Sequence, residues 1–197
     1  QYNYEGLELS NDYCSFANQK LKKYSYEKLI KQADMRAFNF KKKYDKIFIP
    51  FNSLLHLLNE RDFILALKCI KKHMHFNSKL YIDIFVPHPF ILNQEKDQLE
   101  HRGEFFNSIT KQETIIKESL EYDIDNEIMH VNWFYESGGK IYNQFSFDMK
   151  IYYPDSINRI LIEQGFNILN FWGDYQQSEF TEESNLQIYK CKLANEK

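Results

Sequence analysis

Gly6-Leu7-Glu8-Leu9-Ser10 is the first of three short apolar stretches that end at acidic or polar residues, followed by Ala33-Asp34-Met35-Arg36 and Ile49-Pro50-Phe51-Asn52-Ser53. Helical patterns separate these stretches. Alternating strands and helices build a parallel sheet, and ligands bind at the carboxyl ends of its strands. The sequence therefore predicts an α/β fold in which the polar ends of several strands meet at one edge.

The first half of the chain predicts four strands with amphipathic helices between them. Residues 45–51 and 79–86 are dense apolar runs, typical of strands buried on both faces, and shorter strands are predicted at about 4–9 and 27–33. The helices follow from apolar residues spaced at about 3.6 positions. The first has Tyr13, Phe16, Ala17 and Leu21 on its apolar face; the second, at about 60–75, has Phe63, Ala66, Leu67, Ile70 and Met74.

The pattern changes between about 104 and 153, where β-branched and aromatic residues alternate. Glu136-Ser137-Gly138-Gly139-Lys140 signals a hairpin turn within this segment. We therefore expect one domain spanning 1–197 with an antiparallel insert of three or four strands at 104–153. A helix from Pro154 to Gly165 and an antiparallel hairpin of strands at 166–172 and 186–193 complete the prediction.

Composition narrows the class of protein. The chain has 197 residues, enough for one domain with a sizeable core, and a net charge of −3 that argues against nucleic acid as a partner. Its three cysteines form no CxxC pattern, as expected of free thiols in a reducing compartment. No apolar run approaches the roughly 20 residues of a membrane span. We expect a cytoplasmic protein that binds neither nucleic acid nor membrane.

The order and spacing of the three stretches resemble the second, third and fourth strands of class I S-adenosylmethionine-dependent methyltransferases. The end of the chain is similar to that family too: Tyr152-Tyr153-Pro154 precedes a helix, Gly165-Phe166 follows it, and Gly173-Asp174-Tyr175 comes after the next strand. The resemblance implies a Rossmann-like, mostly parallel sheet with helices on both faces and the insert over its carboxyl edge. It also implies S-adenosylmethionine as cofactor and methyl transfer to a nitrogen or oxygen atom of a small molecule.

The resemblance assigns cofactor-binding roles to the strand ends. Glu8 would accept hydrogen bonds from the ribose hydroxyls and Leu9 would pack against adenine. Asp34 would accept from the exocyclic amine of adenine, and the main-chain amide of Met35 would donate to its ring. From the residues alone, Asp34 is also interpretable as a turn or cap residue. The segment that would run beneath the methionine part of the cofactor consists of Pro50, Phe51, Asn52 and Ser53.

Two histidines are candidates for catalysis, His56 and His88, of which one would lie near the methyl acceptor. His56 either faces the transferred methyl group or caps the next helix. We predict no metal site, because His73 and His75 are two residues apart on the predicted helix and do not share a face. Glu100, His101 and Glu104 are expected in a solvated loop. The aromatic residues of the insert would select the acceptor and support a homodimer.

Alternatives remain open at this point. The glycine-rich loop of the family lies about 20 residues before the acidic residue, yet seven residues precede Glu8 and the glycines form no GxGxxG. We expect the sequence to be a fragment of a longer enzyme, the alternative being a short form that does not catalyse. A non-catalytic module that binds a nucleotide or a partner is a second interpretation. A nicotinamide-dependent oxidoreductase fits Asp34-Met35 and the terminal hairpin poorly.

Overall fold

The structure is a computed structural model that describes residues 4–26, 29–93, 95, 98–108 and 110–194. The helices in these residues are α1 (Asn11–Lys22), α2 (Glu60–Lys72), α3 (Pro89–Leu92) and α4 (Pro154–Glu163), and a 3-10 turn spans Ser53–His56. The strands are β1 (Gly6–Glu8), β2 (Ile30–Gln32), β3 (Tyr44–Ile49), β4 (Met74–Phe85), β5 (Glu100–Asn107), β6 (Gln112–Asp123), β7 (Ile128–Ser137), β8 (Lys140–Lys150), β9 (Phe166–Trp172) and β10 (Leu186–Leu193). The predicted second strand begins at residues 27 and 28, which lie outside the described part.

The strands form three sheets. β1 and β2 are a parallel pair, β3-β4-β10-β9 is a mixed sheet, and β5-β6-β7-β8 is antiparallel throughout. β3 runs parallel to β4, with Ile49 opposite Ile82, whereas β10 is antiparallel to both β4 and β9. The predicted α/β class, with an antiparallel carboxyl-terminal hairpin and an antiparallel insert, is therefore confirmed.

A partly buried carboxylate connects the amino ends of the first two sheets. Glu5, just before β1, accepts from the Tyr44 hydroxyl at the start of β3. Its carboxylate also pairs with Lys42 Nζ at 2.9 Å and with Lys31 Nζ of β2 at 3.1 Å. Burial raises the pKa of Glu5, but the hydrogen bonds from Tyr44, Lys42 and Lys31 outweigh it and lower the pKa from 4.5 to about 2. Glu5 is therefore ionised at neutral pH and holds β1 and β2 beside β3.

A second contact joins the same two sheets at their other end. Arg36, four residues after β2, pairs its Nη1 with Asp62 Oδ2 in the first turn of α2 at 2.7 Å. Because Glu5 connects the amino ends and Arg36 connects the segments beyond the carboxyl ends, all four parallel strands run in the same direction. In the described residues no strand ladder joins β1 to β3. The carboxyl ends of these strands thus share one edge, with a gap between the pairs.

The core lies on one face of the mixed sheet, beneath α2 and α4. Phe63, Ala66 and Leu67 of α2 are fully buried and Ile70 almost so, which confirms the predicted apolar stripe. Each large apolar side chain buried there contributes about 1.5–3 kcal/mol. The predicted end of this helix is wrong, because α2 stops at Lys72 and Met74 opens β4. Met74 fits the helical spacing because it is buried in the same core.

The predicted apolar face of α1 is wrong. Tyr13 is 66% exposed and Phe16 is 55% exposed. The helix instead docks on β2 through Cys14, which is buried, and through Asn18. Asn18 Nδ2 donates to the Ile30 carbonyl at 2.8 Å, and Asn18 Oδ1 accepts from the Ile30 amide at 3.0 Å. The Ile30 amide and carbonyl of the short strand β2 thus find their partners in Asn18. This polar contact decides which face of α1 turns towards β2.

The antiparallel sheet packs against the end of the mixed sheet. Its buried residues Met129, Val131 and Leu120 form a second core with Phe85 of β4 and with α3. The predicted hairpin is present at Gly138 and Gly139, which have positive φ angles of 57° and 76°. The first strand of this sheet, β5, begins at Glu100, so the prediction that residues 100–104 form a solvated loop is wrong. None of the described helices has the length and apolarity needed to span a membrane.

Candidate functional site

The first two predicted strand ends are neighbours. Glu8 ends β1 opposite Gln32, and the Ala33 amide donates to the Glu8 carbonyl at 2.9 Å. The Glu8 carboxylate is fixed because Oε1 accepts from the Ser10 amide at 2.7 Å, while Ser10 caps α1. Leu9 projects into solvent beside it. This end of β1 therefore carries an oriented carboxylate next to an exposed apolar side chain.

The carboxylate of Asp34 is held by Arg36. Oδ1 accepts from the Arg36 main-chain amide at 2.8 Å and from Nε at 3.0 Å, and Oδ2 accepts from Nη2 at 2.6 Å. The side-chain hydrogen bonds from Arg36 keep the pKa of Asp34 below its usual value, so the carboxylate is ionised. Met35 packs against the main core. Asp34 is thus a turn residue and, at the same time, an accessible anion at the strand edge.

The third strand end is a tight turn in a strained conformation. Phe51 and Asn52 both have left-handed backbones, with φ angles of 54° and 61°, and the Ser53 amide donates to the Pro50 carbonyl at 3.1 Å. Positive φ at both central positions defines a type I′ turn, which favours Asn and Gly. A phenylalanine there costs on the order of 1–3 kcal/mol. The side chains of Asn52 and Ser53 bond to the Phe85 amide and the Pro50 carbonyl, so they build the turn itself.

An aromatic face of the antiparallel sheet lies beside the third strand end. The His56 ring, at the end of the 3-10 turn, lies 5.6 Å from the Phe147 ring of β8. The ring centroids of Trp133 and Phe145 lie 5.4 and 5.7 Å from the ring centroid of Phe147. Asn59 caps α2 through its side chain, so the alternative that His56 caps this helix is wrong. His56 therefore faces aromatic residues of the predicted insert.

A polar network orients Trp133, and sequence reasoning missed it. Trp133 Nε1 donates to Glu118 Oε2 at 2.6 Å, and Glu118 Oε1 accepts from Arg102 Nε at 2.7 Å. Glu118 lies directly opposite Trp133 on the neighbouring strand. Only the strand register reveals this pair, and the sequence does not specify that register. The network fixes the indole on the face that contacts Phe147.

The other predicted histidine has different neighbours. His88 Nε2 donates to the Ser184 carbonyl at 3.0 Å, and its ring stacks on Phe90 of α3 at 5.8 Å. The first contact is with the β9–β10 connection and the second is with α3, so neither is with the Pro50–Ser53 turn. A cleft of about 560 Å³ lies between the antiparallel sheet and the starts of α2 and α4. None of the predicted site residues is among the described residues that line it. The structure thus brings Glu8 and Asp34 together at the ends of β1 and β2, and the Pro50–Ser53 turn and His56 together at the end of β3, on the other side of the gap in the shared edge.

Comparison with known proteins identifies the fold. No protein-family model matches the chain, and no curated protein matches it. An S-adenosylmethionine-dependent methyltransferase from Clostridium acetobutylicum matches with a TM-score of 0.78 and 16% identity, over 96% of this chain and 74% of that one. The CcbJ methyltransferase from Streptomyces caelestis matches with a TM-score of 0.79 and 15% identity, over 97% and 74%.

A third solved structure is an amino pentose methyltransferase from Micromonospora echinaspora with S-adenosylmethionine bound. It matches with a TM-score of 0.68 and 14% identity, over 98% of this chain and 75% of that one. The sequence resemblance stated above and these structural matches agree on the architecture. The chain has the fold of class I S-adenosylmethionine-dependent methyltransferases.

Proposed function

We propose that the protein is an S-adenosylmethionine-dependent methyltransferase that methylates a nitrogen or oxygen atom of a small molecule. The observation that carries the proposal is the pair of oriented carboxylates, Glu8 and Asp34, at the shared strand edge of a methyltransferase fold. Similar solved structures include an enzyme that depends on this cofactor and one with the cofactor bound.

The chemistry of the donor set fits the adenosine part of the cofactor. Ribose hydroxyls and the exocyclic amine of adenine donate hydrogen bonds, and carboxylates accept about four each. Glu8 accepts one such bond from the Ser10 amide, which leaves capacity for two hydroxyls. Asp34 is engaged by Arg36, so an adenine amine would take over one of these contacts while Arg36 keeps its bond to Asp62. Leu9 and the Met35 amide would complete the adenine site.

The methyl donor would lie above the Pro50–Ser53 turn. When bound, the cofactor would supply an electrophilic methyl group on a sulfonium for transfer to the lone pair of the acceptor. Most of the rate of such a transfer comes from holding the reacting atoms in line. His56, against Phe147, would orient the acceptor and receive the proton that its nitrogen or oxygen atom loses. His88 would act through the β9–β10 connection that it contacts.

The acceptor would be a small molecule bound against the aromatic face of Trp133, Phe145 and Phe147. We further propose that the protein is a cytoplasmic homodimer without nucleic acid or membrane partners. The edge strand β8 supports the dimer, because Ile141 and Tyr142 are each about half exposed there. Sedimentation that finds only monomers at micromolar concentration would overturn the dimer alone.

Thermal unfolding with added ligand tests the function. S-adenosylhomocysteine should raise the unfolding temperature of the full-length protein, because a ligand at 100 times its Kd stabilises by about 2.7 kcal/mol. NAD at the same concentration is the control and should have no effect. Labelled S-adenosylmethionine should then transfer label to members of a panel of small amines and alcohols. Stabilisation by NAD alone would refute the proposal, and binding without transfer to any acceptor would favour a non-catalytic module.

A further inference from the structure

Asp83 of β4 holds the strained turn at the end of β3. Its carboxylate Oδ1 accepts from the Phe51 amide at 2.7 Å, and its carbonyl accepts from the Asn52 amide at 3.2 Å. Both residues with left-handed backbones thus donate to one residue of the neighbouring strand. The bond to Phe51 has an ionised acceptor, and such bonds are stronger than neutral ones.

Side-chain burial does not explain the left-handed backbone of Phe51. Its side chain is 81% exposed, so no burial of the ring offsets the strain. Backbone strain of this kind persists where the surroundings over-determine it, and it clusters at ligand sites. We expect Phe51 to relax to an ordinary negative φ when this acceptor is removed. The turn would then present different main-chain groups to a ligand.

We infer that Asp83 is a positioning residue of the methyl-donor site, whose carboxylate keeps the Pro50–Ser53 turn in its binding shape. This inference rests on the proposed function, because the turn is the segment assigned to the methionine part of the cofactor. The side chains of Asn52 and Ser53 are already used inside the turn, so its backbone geometry decides what the ligand contacts. Asp83 would act through the turn and not by touching the cofactor.

Tyr175, on the connection between β9 and β10, lies near the same carboxylate. Burial and the Asp83 carboxylate raise the pKa of the Tyr175 hydroxyl. Tyr175 offers a matched control, since Tyr175→Phe removes this neighbouring hydroxyl and leaves the Phe51 amide bonded to Asp83.

A double-mutant cycle between Asp83 and Phe51 tests the inference. Asp83→Ala should weaken S-adenosylhomocysteine binding by roughly tenfold or more in calorimetry, as expected for one charged hydrogen bond. Glycine adopts positive φ without strain, so in a Phe51→Gly background the same Asp83 substitution should change the Kd less than about threefold. Tyr175→Phe should change it less than Asp83→Ala does. A general loss of stability would give equal effects in both backgrounds, and that result would overturn the inference.

Amide hydrogen exchange separates this inference from the proposed function. In Asp83→Ala the Phe51 amide should exchange about tenfold faster or more, since its side-chain acceptor is lost. Unchanged exchange there would overturn the role of Asp83 whatever the ligand does. Faster exchange with unchanged affinity would overturn its link to the site. If Asp83→Ala does not fold, Asp83→Asn, which keeps a neutral acceptor, should show the same changes at smaller size. A parent protein that does not bind S-adenosylhomocysteine would overturn the proposed function, and the exchange data would then decide the turn by themselves.

Discussion

Replacement of Glu8 by alanine removes the carboxylate at the end of β1. A hydrogen bond to a charged group contributes about 1.5–3 kcal/mol, and two ribose hydroxyls would bond to this carboxylate. Desolvation of the carboxylate on binding offsets part of this gain. The variant lacks the bond from Ser10 in both the free and the ligand-bound state, so this loss does not change the affinity. We expect Glu8→Ala to weaken S-adenosylhomocysteine binding by about 1–3 kcal/mol, which is about 5- to 150-fold in Kd.

Isothermal titration calorimetry of the full-length protein with S-adenosylhomocysteine measures this change. Ser10→Ala is the matched control, because it removes the hydroxyl that accepts from the Tyr13 amide but leaves the carboxylate in place. Loss of this helix cap should lower the free energy of unfolding by about 1 kcal/mol with little change in affinity. Unchanged affinity in Glu8→Ala would remove Glu8 from the site. Equal losses of affinity in both variants would show that binding depends on the intact start of α1 and not on the Glu8 carboxylate.

Three further substitutions test the fold around the site. Glu5→Gln should lower the free energy of unfolding at pH 7 by about 1–3 kcal/mol. A carboxyl group whose pKa is lowered by folding stabilises the protein at pH values above its pKa in the unfolded chain, and this stabilisation is lost on acidification. The difference from the parent in urea unfolding should shrink as the pH falls from 4.5 towards 2. Gln187→Leu should lower the free energy of unfolding in urea by about 3 kcal/mol, because this buried amide bonds three groups that would lose their partner. Gly173→Ala should lower the thermal unfolding temperature by the equivalent of about 1–3 kcal/mol, since the added Cβ would clash with the side chain of Ser184.

Each of these substitutions has its own contradicting result. If the Glu5→Gln protein is still less stable than its parent at pH 2, the charge of the Glu5 carboxylate is not the source of the stabilisation. A Gln187→Leu protein as stable as its parent would show that the two carbonyls and the Tyr189 hydroxyl do not depend on the Gln187 amide. Adding Ser184→Gly to Gly173→Ala should restore stability, and a double variant that stays destabilised would rule out the clash as the cause.

The periodicity of the sequence predicted the elements that bury their own apolar residues. α2 is the clearest case, because Phe63, Ala66, Leu67 and Ile70 lie on one face and all of them are in the core. The same reasoning failed for α1, where the contact with Ile30 is made by Asn18. It also misjudged the start of β5, because the residues from Glu100 are polar and belong to a strand only through pairing with β6.

The candidate site was predictable as a set of strand ends, but not in its contacts. Glu8 and Asp34 were predicted because acidic residues follow apolar runs at consecutive strand ends, and the structure places both residues at such ends. The pairing of Arg36 with both Asp34 and Asp62 joins residues 26 positions apart, and no local pattern signals it. Asn52 is a residue type that tolerates positive φ, whereas Phe51 is not. Its conformation depends on Asp83 of another strand, which only the register with β4 brings into reach.

A crystal structure of the full-length protein with S-adenosylhomocysteine tests the central claim most directly. We expect the ribose hydroxyls within hydrogen-bond distance of Glu8, the adenine amine on Asp34 in place of an Arg36 contact, and the sulfur atom beside the Pro50–Ser53 turn and facing His56. Binding in another place, such as the cleft between the antiparallel sheet and the starts of α2 and α4, would contradict the claim. So would a ligand that leaves Glu8 and Asp34 without contact.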